Sequence, residues 1–391
     1  MLIDALRAEL VELDAAALRR RRCSLDTPCG PRPVVDGMPL LAFCSNDYLG
    51  LANEASLAAA LAEGARLWGA GSGASALTSG HCAVVDTLER ALASFCGAER
   101  ALLFGTGYMA NLGLLPAFAG RGDEIFADRL NHASLVDGAL LSRAALTRYP
   151  HCDVGALEAA LERSSAKRKL IVSDAVFSMD GDLAPLPALL DLAERHDAWL
   201  IVDDAHGFGV LGPHGRGSLA HFGLSSWRLI YMGTLGKAAG VAGAFVAGNA
   251  EVIEWLMQKA RTYIFTTAPP PALAHALLHS LELIAGGAAR RTRLASLIGA
   301  LRRSLALRDW QLLPSTTPIQ PILIGDNEDA LDASQRLRRE GIWVPAIRPP
   351  TVPPGSARLR ISLSAAHTDD DVLRLANTLN GLQKCSPRHL P

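Results

Sequence analysis

Between about residues 100 and 250 the chain alternates short, continuously apolar runs with stretches whose apolar positions recur at helical spacing. Ala101–Phe104, Glu124–Ala127, Leu170–Ser173, Trp199–Val202 and Leu229–Met232 read as strands. Strands of this kind, covered on both faces, belong to a mostly parallel sheet flanked by helices. Helices are predicted over Ala55–Trp68, from Asn111, and after Asn131-His-Ala-Ser134. Beyond Thr267-Ala-Pro-Pro-Pro271 the texture changes. Helical stretches near 272–285 and 290–306 lead to strand-like Ile319–Ile324 and a helix near 329–340. Strand-like Ile342–Ile347 and Arg358–Ser362 and a last helix from Asp369 complete a smaller α+β domain. At the other end, Leu2, Leu6, Leu10 and Leu13 form the apolar stripe of an amphipathic helix. That stripe is expected to pack on the smaller domain or on a neighbouring subunit. The predicted division is an N-terminal helix and arm over 1–45, a large α/β domain over 46–268, a small α+β domain over 269–385 and a disordered tail over 386–391. No internal repeat is visible.

Composition narrows the class. The chain has 391 residues, too many for one simple core, with 49% hydrophobic and 20% charged residues, as in an ordinary soluble globular protein. Its formal net charge is −1, and no block of like charge exceeds Arg19-Arg20-Arg21-Arg22, which argues against a general nucleic-acid surface. That run reads as a solvated helix end, one member of which is placed to reach a substrate. The apolar stretch Ala238–Ala247 is too short and too rich in glycine to cross a membrane. Asp4, Glu9, Glu12 and Asp14 interrupt the N-terminus, unlike a signal peptide. Seven cysteines (23, 29, 44, 82, 96, 152, 385) show no C-x-x-C pair, which predicts reduced, buried thiols, no metal site and a cytoplasmic setting.

The chemistry gathers at the carboxyl ends of the predicted strands, where ligands bind in such sheets. Tyr108, His132, Ser178, Asp203, His206 and Thr234 fall there. Lys237, in Thr234-Leu-Gly-Lys237, lies 30 residues beyond Gly207, the last residue of Val202-Asp-Asp-Ala-His-Gly207. Alone, a glycine-flanked lysine is mostly a surface turn, and a strand-end acid mostly caps the next helix. Together they supply an amine, a carboxylate and an imidazole. An aldehyde cofactor that acts as an electron sink needs those groups, and pyridoxal 5′-phosphate (PLP) is the cofactor they suggest. His132 has two readings: a loop residue in a helix start capped by Asn131 or Asp128, or an imidazole stacked on a cofactor ring. Gly105-Thr-Gly107-Tyr108 is either a plain strand-to-helix turn or a set of backbone amides for a phosphate. Gly69-Ala-Gly-Ser-Gly-Ala74 formally matches G-x-G-x-x-A, but a helix precedes it where the dinucleotide fingerprint needs a strand. Its glycines are expected to admit a substrate or a subunit partner.

Five motifs now form a family pattern. Ser45-Asn46-Asp-Tyr-Leu-Gly50, Asn131-His-Ala-Ser-Leu135, Val176-Phe-Ser-Met-Asp-Gly-Asp182, Val202–Gly207 and Thr234–Lys237 resemble the α-oxoamine synthases, PLP enzymes of fold type I, over nearly the whole chain. The resemblance implies a decarboxylating C-acyltransferase, acting as a homodimer with shared active sites. Ala346-Ile-Arg-Pro-Pro-Thr-Val-Pro353 and Ala357-Arg-Leu-Arg360 resemble the biotin-pathway branch, which implies L-alanine and a pimeloyl thioester, of coenzyme A or of acyl carrier protein, as substrates. By that resemblance Lys237 carries the Schiff base, Asp203 pairs with the pyridine nitrogen, His206 with the ring oxygen, and His132 stacks on the ring. Ser178 and Thr234 bond the cofactor, and Gly107 and Tyr108 help seat it. Asn46, Thr351 and Arg360 face the substrate, with Arg360 on the amino-acid carboxylate and either Arg19 or Arg20 on the acyl substrate. Asp174 and Phe208 depart from the family pattern, where glutamate and threonine are common. The competing readings are a glycine-using sister, such as 2-amino-3-ketobutyrate CoA ligase, and a non-catalytic PLP-binding module.

Overall fold

The computed structural model describes residues 1–383; the tail and Cys385 lie outside the described residues. The chain divides into two compact units, one of Leu49–Ser178 with Leu183–Arg291, the other of Met1–Tyr48, Met179–Asp182 and the chain from Thr292 onward.

The larger unit is built on a seven-stranded sheet in the order Arg100–Phe104, Ala244–Gly248, Leu229–Thr234, Ala198–Asp203, Lys169–Asp174, Glu124–Asp128, Ala145–Tyr149. Only Ala244–Gly248 runs antiparallel to its neighbours. The five predicted strands are present, each longer by one or two residues. Ala145–Tyr149 and Ala244–Gly248 were not expected: the first has exposed and half-buried positions and no clear apolar run, and the second is short and lies in a glycine-rich stretch. One side of the sheet carries a core of Leu102, Leu114, Ile125, Val172, Ile201 and Ile230, and the other a core of Phe126, Ile171, Phe177, Leu200 and Val202. This alternation of neighbouring residues between two dry faces is why the strands read as continuous apolar runs.

The helix expected from Asn111 begins one turn earlier and spans Gly107–Phe118. Thr106 caps it, its side chain accepting from the Met109 amide, while Gly107 and Tyr108, weak helix formers, disguise the onset. Pro271–Ala285 was expected to open the small domain. It lies instead within the larger unit, where Ala272, Ala274, Ala276, Leu277, Leu281 and Ile284 are buried.

The smaller unit holds a four-stranded antiparallel sheet in the order Gln311–Leu312, Ile319–Gly325, Ala357–Ser362, Ala346–Ile347. The expected strand over Ile342–Ile347 is two short ones, Ile342–Trp343 and Ala346–Ile347; the first pairs in parallel with Leu41–Ala42. Pro345 between them lacks the amide a continuous ladder needs. The helix Leu2–Ala15 forms as predicted but has no buried residue, so its leucine stripe is not packed within the chain. The thiols depart from expectation too. Cys23 is exposed, and Cys29, Cys44, Cys82, Cys96 and Cys152 are half-buried. Among the described residues no single helix is long and apolar enough to cross a membrane.

Candidate active site

The carboxyl ends of the sheet strands surround a cavity of about 170 Å³ lined by Gly107, Tyr108, His132, Ser134, Asp174, Asp203, Ala205, His206, Met232, Thr234 and Lys237. Most arrive from a strand end or the turn after it, while Gly107, Tyr108 and Ser134 come from the first turns of the helices that follow. Lys237 sits in the turn after Leu229–Thr234, with its Nζ 2.8 Å from His206 Nε2. The Thr234 hydroxyl donates to the Gly243 carbonyl at 3.1 Å. Gly107 and Tyr108 form the first turn of their helix, whose unsatisfied amides and positive dipole end suit an anion. The Tyr108 hydroxyl is hydrogen-bonded to Asp137, which holds its pKa up by stabilising the phenol. His132 is itself the cap of the helix Ala133–Ser142, rather than Asn131 or Asp128. Its ring stands edge-on to Tyr108 with centroids 6.4 Å apart. Burial holds the imidazole pKa down, helped by the charge of Lys237 and opposed by Asp203 and Asp137. Ser178, half-buried, ends the neighbouring segment of the same unit and is not among the lining residues.

The tandem acids separate. Asp203, 4% exposed, turns into the cavity and accepts from Asn111 Nδ2 at 2.8 Å and the Ala205 amide at 3.0 Å. Asp204 turns to the other side and accepts from the Ser218 amide (2.6 Å), the Ser218 hydroxyl (2.5 Å) and the Tyr231 hydroxyl (2.8 Å). Burial nevertheless pushes its pKa up to about 6. Asp174 stands opposite Asp203 on the adjacent strand and accepts from the His132 amide at 2.6 Å. Burial, then the charge of Asp203, pushes its pKa well above the ordinary value. Three polar residues around the pocket received no role from the sequence: Asn111, Ser134 and Asp174. Asn111 left one signal, a polar residue inside an otherwise apolar helix, fully buried here.

The remaining candidates lie in the smaller unit. Strand alternation puts Arg358, Arg360 and Ser362 on one face of Ala357–Ser362, and Leu359 and Ile361 on the other. Arg360, 6% exposed, donates to Ser362 Oγ at 2.7 Å and approaches Asn46 Oδ1 at 3.3 Å. Arg358 is held by the Met179 carbonyl and by Asp180 at 2.7 Å. Arg19 is ion-paired to Asp14 at 2.5 Å. Arg20 stands close enough to Arg348 that the two cations repel. Thr351 is exposed, its amide donating to the Arg348 carbonyl at 3.1 Å.

The model of the family "Aminotransferase class I and II" matches residues 39–379. An 8-amino-7-oxononanoate synthase of Aromatoleum aromaticum is 70% identical over 383 residues, covering 98% of this chain and 99% of the relative. The chain belongs to the 8-amino-7-oxononanoate synthases, within the class I and II aminotransferases. In structure it is similar to a serine palmitoyltransferase of S. paucimobilis with bound PLP–myriocin, at TM-score 0.91 and 30% identity over 97% of both chains. It is also similar to the 8-amino-7-oxononanoate synthase of Francisella tularensis, at TM-score 0.77 and 32% identity over 88% of this chain and 98% of the other.

PLP is the cofactor of this family, and the residues present fit it. Asp203 is a buried carboxylate facing a cavity, and its two hydrogen bonds come from neutral donors. Such a group calls for a cationic partner, which a protonated pyridine nitrogen provides. The same cavity holds one amine with an imidazole against it and the amino end of a helix. An aldehyde, a ring oxygen and a phosphate each find a suitable group there.

Proposed function

We propose that the protein joins L-alanine to a pimeloyl thioester with loss of CO₂, releasing 8-amino-7-oxononanoate and the thiol carrier, as a cytoplasmic step of biotin synthesis. The carrying observation is the cavity in which Lys237 lies 2.8 Å from His206 and shares a lining with Asp203. The names borne by the relatives support it. When bound, PLP supplies an aldehyde that an amine captures and a ring that accepts electrons from a substrate carbanion.

Lys237 would hold the cofactor through its amine, and that amine, once free, serves as the general base that takes the proton from the alanine Cα. After decarboxylation Lys237 returns a proton to that carbon. Asp203 keeps a proton on the ring nitrogen. His206 would bond the ring oxygen, His132 would pack on the ring, Ser178 and Thr234 would bond the cofactor, and the Gly107–Tyr108 turn would hold the phosphate. Arg360 takes the alanine carboxylate as a charge-assisted contact, with Asn46 and Thr351 at the substrate. For the acyl substrate the choice falls on Arg20 over Arg19, since Asp14 already neutralises Arg19 while Arg20 and Arg348 together favour an anion.

The test is turnover of PLP-loaded protein with pimeloyl-CoA, or with pimeloyl acyl carrier protein, and either L-alanine or glycine. Alanine is expected to be preferred by about 10–200-fold in kcat/KM, the discrimination one methyl allows. A glycine preference would assign the chain to a sister activity. No turnover with either amino acid and either carrier would favour a non-catalytic PLP-binding module.

A further inference from the structure

A continuous hydrogen-bonded chain links the two groups that flank the cofactor in this reading. Asn111 is fully buried and uses its Nδ2 twice, donating to Ser134 Oγ at 2.9 Å and to Asp203 Oδ2 at 2.8 Å. Among the described residues its Oδ1 has no partner, so the amide is held by what it donates. The Ser134 hydroxyl, having accepted from Asn111, has its own proton left to give. His132 Nδ1 lies 2.8 Å from it. The Ser134 amide also points at the same ring nitrogen, at 3.3 Å. A ring nitrogen that receives two donors is the unprotonated one. With Nδ1 as the acceptor of both, the imidazole is neutral and carries its proton on Nε2.

Packing enforces the chain. Asn111 and Ser134 lie on the helices Gly107–Phe118 and Ala133–Ser142. Gly138 lets these two helices close up, because a Cβ there would sit 2.8 Å from the Asn111 carbonyl oxygen.

We propose that Asn111 and Ser134 are positioning residues: they fix His132 as the neutral Nε2–H tautomer and hold the Asp203 carboxylate in register with it. The proposal rests on the reading of this cavity as the PLP pocket. A neutral imidazole can lie on a ring that Asp203 keeps positively charged; an imidazolium there would be repelled. The same amide that orients Asp203 thus also sets, through one hydroxyl, the proton position on His132.

The experiment is ¹⁵N NMR of the histidine rings of cofactor-free protein, with His132 assigned from the signals lost in His132→Gln, together with the Kd of PLP measured by absorbance. In the wild type His132 is expected to show an unprotonated Nδ1 and a protonated Nε2. Ser134→Ala and Asn111→Leu are expected to mix the tautomers and to weaken PLP, Asn111→Leu by about tenfold or more, the loss of one hydrogen bond to a charged group, and Ser134→Ala by about 2–10-fold, the loss of one neutral hydrogen bond. Ser134→Thr, which restores the hydroxyl, should keep both properties. An Nδ1–H or imidazolium His132 in the wild type overturns the proposal. So does a Ser134→Ala protein with the wild-type tautomer and wild-type PLP affinity. A wild type with the expected tautomer that binds no PLP supports the relay and overturns the cofactor reading instead.

Discussion

Asp203 and Asp204 are neighbours in sequence and face opposite ways, because a strand turns successive side chains to opposite sides. Asp203 reaches the cavity, whereas Asp204 is enclosed by Ser218, Tyr231 and Gly217. Gly217 has φ +92°, and a Cβ there would lie 2.3 Å from Asp204 Oδ2, so both its conformation and its space exclude a side chain. The folded pKa of Asp204, about 6, lies above the ordinary 3.8. The native state therefore holds this proton more tightly than the unfolded chain. The resulting stabilisation is complete below about pH 4 and is lost as pH rises through about 6. In thermal unfolding between pH 4 and 8, wild type relative to Asp204→Asn should lose stability as pH rises, by about 3 kcal/mol in all. A difference independent of pH would contradict this. At Lys237, replacement by alanine should lower turnover by at least about a thousandfold and abolish the borohydride-reducible link to PLP. A reduced cofactor found by mass spectrometry on any other lysine would reassign the Schiff base.

The element that matters most to the site is the pair of helices Gly107–Phe118 and Ala133–Ser142. They carry Tyr108, Asn111 and Ser134, and His132 caps the second. Their close approach depends on Gly138, where a Cβ would meet the Asn111 carbonyl oxygen at 2.8 Å and Leu115 Cδ1 at 3.1 Å. Gly138→Ala should cost about 1–3 kcal/mol by overpacking, outweighing the helix propensity alanine gains. Because the strain falls on the helix that holds Asn111, PLP affinity should drop as well. Denaturant unfolding and PLP titration measure the two effects. An alanine variant as stable as wild type, with unchanged affinity, would show that the helices can part without disturbing the site.

For the whole molecule, we expect a homodimer. The helix Leu2–Ala15 exposes Leu2 (73%), Ile3 (58%) and Val11 (66%), an apolar surface larger than an isolated solvated helix needs. A Cβ at Gly69, Gly71 or Gly73 would meet nothing within 4 Å among the described residues, which leaves that segment open to another chain. Sedimentation of the PLP-loaded protein should give twice the 41.4 kDa chain mass. A fully active monomer would refute shared active sites.

Much of the architecture was written in the periodicity. Strands dry on both faces leave unbroken apolar runs, and amphipathic helices leave spaced ones, so the α/β sheet and the smaller α+β unit were legible from local pattern alone. Lys237, Asp203, His206 and His132 were legible as candidates because they recur in motifs at strand ends. Pattern failed where a residue's role depends on what approaches from elsewhere. Ala145–Tyr149 becomes a strand by pairing with Glu124–Asp128, and Ala244–Gly248 by pairing with two others. Asn111 and Ser134 lie 23 residues apart and meet only because two helices close over Gly138. Which of two adjacent aspartates faces the cavity is settled by strand register, and which of two adjacent arginines is already neutralised is settled by where Asp14 falls. Local composition determined the elements and the chemical groups; burial and register, properties only of the folded chain, determined which groups touch and where their protons reside.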